Sequence, residues 1–246
     1  MIKTLCLATT MLFSLSTFGE QVVNETKNNE SIAISPFTAE YSILHKSSPV
    51  GKGSRSLKAL DNGLFEYSYQ TKIEWLIFSD EREERSILTV NKHHVTPLEY
   101  HYERSGTGRD KSYFWTFDIA ENKATDEKNN QLHNITFPEN IQDKLSYHLQ
   151  TRLQLKESPD QKVFVYPVIS TSGSIKNYVY QYDGTEELML PYGNLQTIRL
   201  KREVVEKKRI TYAWFAPELD YALVKLYQSK SGAEQFEAQL TNFTKQ

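Results

Sequence analysis

The 246-residue sequence has a single cysteine, Cys6, and it lies inside an apolar N-terminal stretch. Beyond that stretch no thiol is available, which excludes a disulfide scaffold, a cysteine nucleophile and thiolate metal sites. Charge of one sign is lacking too. The 29 Lys and Arg stand against 31 Asp and Glu, a net charge of -2, which argues against a nucleic-acid binder, whose phosphate contacts need clustered positive charge. Glycine (10) and proline (8) are too scarce for a collagen-like or low-complexity chain. What the chain has in quantity is aromatics: 15 Tyr, 12 Phe and 3 Trp. Tyr and Phe favour half-buried pleated surfaces, so the composition leans towards β structure. The length suits one domain with a sizeable core.

Residues 1–19 have the layout of a secretory signal. Lys3 supplies the positive start, Leu5 to Leu15 the apolar stretch, and Thr17 and Gly19 the small residues before a cut that leaves Glu20 first. The stretch falls short of the roughly 20 apolar residues a membrane-spanning helix needs. Thr9, Thr10, Ser14 and Ser16 dilute it further, against a retained anchor. Cys6 sits too early to be the lipid-modified first residue of a lipoprotein. Export without disulfides suits a bacterial periplasm. Residues 20–35, dominated by Asn24, Lys27, Asn28, Asn29 and Glu30, are too polar to offset ordering entropy and are expected to form a flexible leader.

Residues 36–246 are expected to form a single β domain. Phe65, Tyr67, Tyr69, Thr71, Ile73 and Trp75 alternate with Glu66, Ser68, Gln70, Lys72 and Glu74, the pattern of a strand with one buried and one wet face. Asp61-Asn62-Gly63 is hairpin chemistry, and Ser105-Gly106-Thr107-Gly108 joins two further strands as a turn. Asp80 to Arg85 mixes charge signs as a solvated turn does. From Pro138 to Lys156, Ile141, Leu145, Leu149 and Leu153 recur every four residues, predicting an amphipathic helix with one apolar stripe. Some ten to twelve strands with one helix predict a mainly β fold: a large curved antiparallel sheet forming a barrel or half-barrel, with the helix packed on or in it.

Four short motifs occur in order: Thr96-Pro97-Leu98-Glu99-Tyr100; Gln142-Asp143-Lys144-Leu145-Ser146; Leu190-Pro191-Tyr192-Gly193-Asn194-Leu195-Gln196-Thr197; and Trp214-Phe215-Ala216-Pro217-Glu218-Leu219-Asp220-Tyr221. Together they resemble the exported bacterial family of domain of unknown function 3108, over essentially Phe37 to Phe243. The family often has a proline shortly after the Tyr221 position, where this chain has Ala222. The resemblance implies an exported, mainly β protein, with Pro97, Asp143, Leu145, Ser146, Gly193, Trp214 and Pro217 as structural signposts. It supplies no catalytic residues.

The most enzyme-like grouping is Asp143, Ser146 and His148. Helical spacing puts His148 about 140° around from Asp143, out of reach of a nucleophile–base pair. Asp143 is expected to cap free amides and Ser146 to pack against the sheet. His94 and His101 with a distant carboxylate are a candidate cross-strand metal arrangement, and exposed polar residues near a hairpin are the simpler reading; no metal or cofactor is expected. A turn near Val205-Glu206 would carry Lys201-Arg202 and Lys207-Lys208-Arg209 to one hairpin end, facing solvent or anionic headgroups. Tyr67, Tyr69, Trp75, Tyr178, Tyr180 and Tyr182 carry hydroxyls and ring faces that suit a partly hydrated interior. With Lys207 and Arg209 they are the candidate contacts for a lipid or other apolar ligand. The leading expectation is therefore a non-catalytic periplasmic binding module. An envelope scaffold holding a protein partner is second. A hydrolase of an envelope polymer is third, because Glu66 and Glu74 fall on the polar face and nothing pairs them.

Overall fold

The computed structural model describes residues 34–246; the signal segment and the leader up to residue 33 lie outside the described residues. Fourteen strands form one antiparallel sheet. The first meander comprises β1 (Phe37–His45), β2 (Ser48–Ala59), β3 (Leu64–Trp75), β4 (Phe78–Val90), β5 (Val95–Gly106), β6 (Lys111–Asp118), β7 (Lys123–Asp126) and β8 (Gln131–Asn134). The second comprises β9 (Val163–Ile169), β10 (Ile175–Leu190), β11 (Gly193–Val204), β12 (Arg209–Ala216), β13 (Ala222–Lys230) and β14 (Ala233–Lys245). Between them lies α1 (Tyr147–Glu157).

The strand order runs β8 to β1, then β14 to β9. The first and last strands therefore pair in the middle of the sheet, from Phe37 opposite Lys245 to Leu44 opposite Glu237. The two free edges, β8 and β9, are consecutive in sequence. The sheet curls but does not close, giving a half-barrel. The chain between the two edges fills the gap. Gln142 donates its N–H to Pro167 O at 2.8 Å and accepts from Ile169 N–H at 2.9 Å, a parallel bridge that extends the sheet beside β9.

Alternation sets the inner face. In β3, Phe65 and Tyr67 are buried inside while Lys72 and Glu74 face water. On the inner face lies α1, enclosed on nearly every side: Tyr147, His148, Leu149, Gln150, Thr151, Arg152, Leu153 and Leu155 are buried, and Lys156 and Glu157 reach solvent. Full burial of Leu149, Leu153 and Leu155 contributes about 1.5–3 kcal/mol each.

The architecture is the expected one, with three local corrections. There are fourteen strands rather than ten to twelve, because β7 and β8 are four residues each, too short to show a period. The helix starts at Tyr147, not Pro138. Asn140 is left-handed (φ 59°), and Gln142 is drawn into the bridge with β9 before a helix can begin. Buried all round, α1 is a plug rather than a surface helix with one apolar stripe. Finally, Asp80–Arg85 is not a turn but part of β4; its alternating charges pair across strands, as Lys72–Glu81 (3.0 Å) and Arg104–Asp80 (2.6 Å) show. The turn lies earlier, at Leu76-Ile77, between the paired Trp75 and Phe78.

Candidate functional site

The aromatic residues expected to line the interior fall into two groups on opposite arms of the curved sheet. On β9 and β10, Tyr166, Tyr178 and Tyr180 surround Tyr147 of α1, with ring centroids 6.0, 5.4 and 6.2 Å from it. Arg202 lies 3.7 Å over the Tyr178 ring and Lys162 3.8 Å over Tyr182, so cation–π contacts hold these rings in place. On β2 and β3, the buried Arg55 donates to Tyr67 Oη (3.0 Å) and stands 4.6 Å over the Tyr69 ring. Burial raises the hydroxyl pKa values of Tyr147 and Tyr180, keeping them protonated. Burial, reinforced by Arg55 and Arg202, holds His148 well below its ordinary value and therefore neutral.

Trp75 does not join either group. It lies at the β3–β4 hairpin end, 50% exposed, with the His45 ring 5.3 Å away. Lys207 is exposed in the one-turn helix Val205–Lys207 between β11 and β12, where the sequence placed the turn. Arg209 is half-buried, with its Nε unpaired.

The motif residues occupy structural corners. Pro97 lies on β5 before the pairing with β6 begins at Glu99, so its missing N–H costs no ladder bond there. Gly193 opens β11 with φ 140° after the Pro191-Tyr192 turn. Trp214 donates to Glu186 at 2.7 Å. Pro217 starts the one-turn helix Pro217–Leu219. Leu145 is buried just ahead of α1.

Asp143 and Ser146 form a reciprocal turn into α1. The Asp143 Oδ1 atom accepts the N–H groups of Leu145 and Ser146, both at 2.7 Å, and Ser146 Oγ accepts the Asp143 N–H at 2.9 Å. Asp143 Oδ2 has no partner; the Ser86 hydroxyl sits beside the carboxylate without a formed hydrogen bond. Complete burial pushes the Asp143 carboxyl up to about 6, against the lowering effect of these backbone donors. The His148 ring packs against Tyr147, tilted by 31° with centroids 4.0 Å apart. Asp143 Oδ1 and Ser146 Oγ thus hold the entry to the plug.

Sequence reasoning missed the polar pins of that plug. Gln150 Oε1 accepts the Val95 N–H (2.8 Å) and its Nε2 donates to His93 O (2.9 Å). Gln142 Nε2 donates to Val95 O (2.8 Å). Arg152, 4.4 Å over the Phe37 ring, donates twice to Asp220 O at 3.0 and 3.1 Å. The available signal was Gln150 and Arg152 standing between the leucines of α1, in a helix whose buried positions also include Leu149, Leu153 and Leu155.

The histidines are dispersed. His93 meets Glu157 (2.8 Å), and His101 stacks on Phe114 at 3.9 Å. Among the described residues, no three His, Cys, Asp or Glu side chains gather as a metal-binding group. Glu66 and Glu74 lie on the wet face, near Arg85 (3.5 Å) and Lys72 (3.2 Å). An open trough of about 1180 Å³ crosses that same wet face, lined by Ser54, Gln70, Lys72, Glu83 and Glu103 among others. A smaller hollow of about 340 Å³ lies between Val95, Ile119, Phe137 and Ile141.

The fold has a solved counterpart. The crystal structure of a beta-barrel-like protein of domain of unknown function DUF1849 from Brucella abortus superposes with a TM-score of 0.58 at 6% identity, covering 88% of this chain and all of that one. At that identity the likeness concerns the fold alone. No curated protein matches the sequence. The model of the family described as protein of unknown function (DUF3108) matches residues 65–239, from the first inward aromatic of β3 through α1 to the middle of β14, and the chain belongs to that family.

Proposed function

We propose that this is an exported, non-catalytic binding module of the bacterial cell envelope, holding a lipid or another apolar molecule against the inner face of the curved sheet when α1 swings aside. The observation that carries the reading is the character of the plug. A helix meant to stay in a core is satisfied best by apolar side chains, since each buried polar group without a partner costs about 1–3 kcal/mol. Here the plug buries His148, Gln150, Thr151 and Arg152. Along its contact with the sheet, Gln142 Oε1, Asp143 Oδ2, Arg152 Nη1 and Ser86 Oγ are buried without hydrogen-bond partners among the described residues. Such a contact is strong enough to seal and weak enough to open. What it covers is a concave face of tyrosines, which offers apolar area with polar rims.

The periplasm is the proposed location, on the strength of the signal-like segment. Native mass spectrometry of the chain from Glu20 onward, purified from periplasm without detergent, tests the reading. The expected result is an excess mass that is lost on denaturation and extracts into organic solvent. An apo mass that persists after incubation with envelope lipid extract would overturn it.

A further inference from the structure

One hairpin differs from all the others. Trp75, Leu76, Ile77 and Phe78 are 50%, 89%, 91% and 57% exposed. They form the end of the β3–β4 hairpin, which projects beyond its neighbours: pairing with β2 stops at Ile73 and pairing with β5 at Asp80. Leu76 adopts φ 55°, a conformation that costs an L-residue of this type roughly 1–2 kcal/mol. Elsewhere the positive-φ positions of hairpin tips are taken by Lys46, Ser47, Asn62, Asn122, Lys208 and Ser231, which solvent accepts, and by Asp220 and Tyr221, whose ring is half-buried. An aliphatic side chain held in a strained conformation and pointed into water is stabilising nothing in the fold, and such an outlier is grounds for a functional hypothesis.

The surroundings say what it would meet. Contacts link the tips along one rim: Ser231 N–H donates to Lys208 O, the Lys46 N–H to Glu234, His45 packs on Trp75, and Thr107 N–H donates to Ser79 O. The apolar knob therefore sits between the β1–β2 tip, with exposed Lys46, and the β5–β6 loop, with exposed Arg109; Lys207 and Lys208 continue the rim beyond. Among the described residues, no ion pair engages the side chains of these four cations, although Asp110 and Glu206 adjoin Arg109 and Lys207 in sequence; the acids of the hairpin's own arms, Glu74 and Glu81, are tied to Lys72 at 3.2 and 3.0 Å. A convex apolar knob flanked by free cations complements an anionic bilayer surface, where apolar side chains enter the acyl boundary and cations meet phosphates. A protein partner would need a matching pocket; a bilayer does not.

We infer that this rim docks on anionic membrane, with Leu76 and Ile77 inserted and Lys46 and Arg109 at the headgroups. The inference stands whether or not the interior holds a ligand. The test is flotation of the chain from Glu20 onward with vesicles of phosphatidylethanolamine and phosphatidylglycerol, with tryptophan emission recorded in parallel. Trp115 and Trp214 are buried, so a blue shift reports Trp75. The expected result is co-flotation with a blue shift, weakened at least tenfold in L76G/I77S, with the thermal midpoint retained because Gly relieves the turn. Lys46→Gln with Arg109→Gln should weaken binding several-fold, as should raised salt. Wild-type protein left at the bottom of the gradient would overturn the inference, as would L76G/I77S floating like wild type. Vesicle binding by a protein that carries no excess mass would remove the interior-ligand proposal alone. A carried lipid without vesicle binding would remove this one alone.

Discussion

Replacing Asp143 with Asn should stabilise the protein at neutral pH, although the residue anchors the turn into α1. The carboxyl is completely buried, one oxygen accepts two backbone N–H groups, and the other has no partner. Burial lifts its pKa from 3.8 to about 6, which corresponds to about 3 kcal/mol at 1.36 kcal/mol per pH unit. For a carboxyl raised in the fold, the favourable contribution is complete below the unfolded value near 4 and is lost as the pH rises through 6. Above pH 7 the native state therefore carries the whole cost of a buried charge. Asn imitates the neutral acid: its carbonyl keeps both backbone bonds, and its amide faces the Ser86 hydroxyl. The facing groups Glu84 and Tyr100, which bond each other at 2.7 Å, are untouched. The expected gain is about 2–3 kcal/mol at pH 7.5, roughly 1 M in urea midpoint, shrinking towards zero by pH 4. His148, held neutral by burial, acts in the opposite sense: its stabilising effect is lost as the pH falls below about 6.5. For that reason the difference between variant and wild type is the quantity to follow, by urea unfolding at both pH values. A variant less stable at pH 7.5, or a gap that persists unchanged at pH 4, would refute the reasoning.

Three further substitutions probe the frame. Leu149→Ala should cost about 2–5 kcal/mol in urea unfolding, the range for a fully enclosed leucine; a loss under about 1 kcal/mol would mean that α1 is not the plug described. Gly51→Ala should destabilise by more than 2 kcal/mol, because the new Cβ would stand 2.2 Å from Lys72 O across β2 and β3; an unchanged thermal midpoint would contradict that register. Arg152→Met keeps the stem but removes both bonds to Asp220 O. It should cost about 2–4 kcal/mol and speed amide exchange over residues 217–221, and unaltered exchange there would rule out Arg152 as their anchor.

Much of the fold was legible because strands with one dry and one wet face print a period of two. β3 and the tyrosine face of β10 show it plainly. β2 was illegible. Its sequence is rich in glycine, serine and lysine, and its inward positions include Gly51, Gly53 and Arg55, the last buried with its bond to Tyr67 on the adjacent strand. The start of α1 was misplaced for a related reason. Leucine spacing is local, but Gln142 is claimed by β9, and no window of sequence around residue 142 contains residues 167–169. Trp75 continued the β3 alternation correctly in phase; only the fact that the neighbouring strands end before it puts the ring in solvent.

The same topology restricts how such an interior would open. A seam between β1 and β14 would have to give up antiparallel pairing along nearly the whole of β1. The seam between β8 and β9 holds on one side by the two backbone bonds of Gln142, with side-chain bonds from Gln142 and Gln150 to the start of β5. Breaking a handful of bonds near a strained, partly unsatisfied turn costs far less than unzipping a ladder. Because the chain between the edges is the plug itself, the weak seam and the plug would move together in the proposed opening: release of Gln142 would free Asp143, whose buried charge disfavours the closed arrangement at neutral pH. Acidification through pH 6 would thus tighten this seam. The four motif residues from Gln142 to Leu145, with Ser146 closing the turn, are then intelligible as a latch, in which the sequence keeps an ionisable group where a neutral amide, keeping both backbone bonds, would hold more firmly.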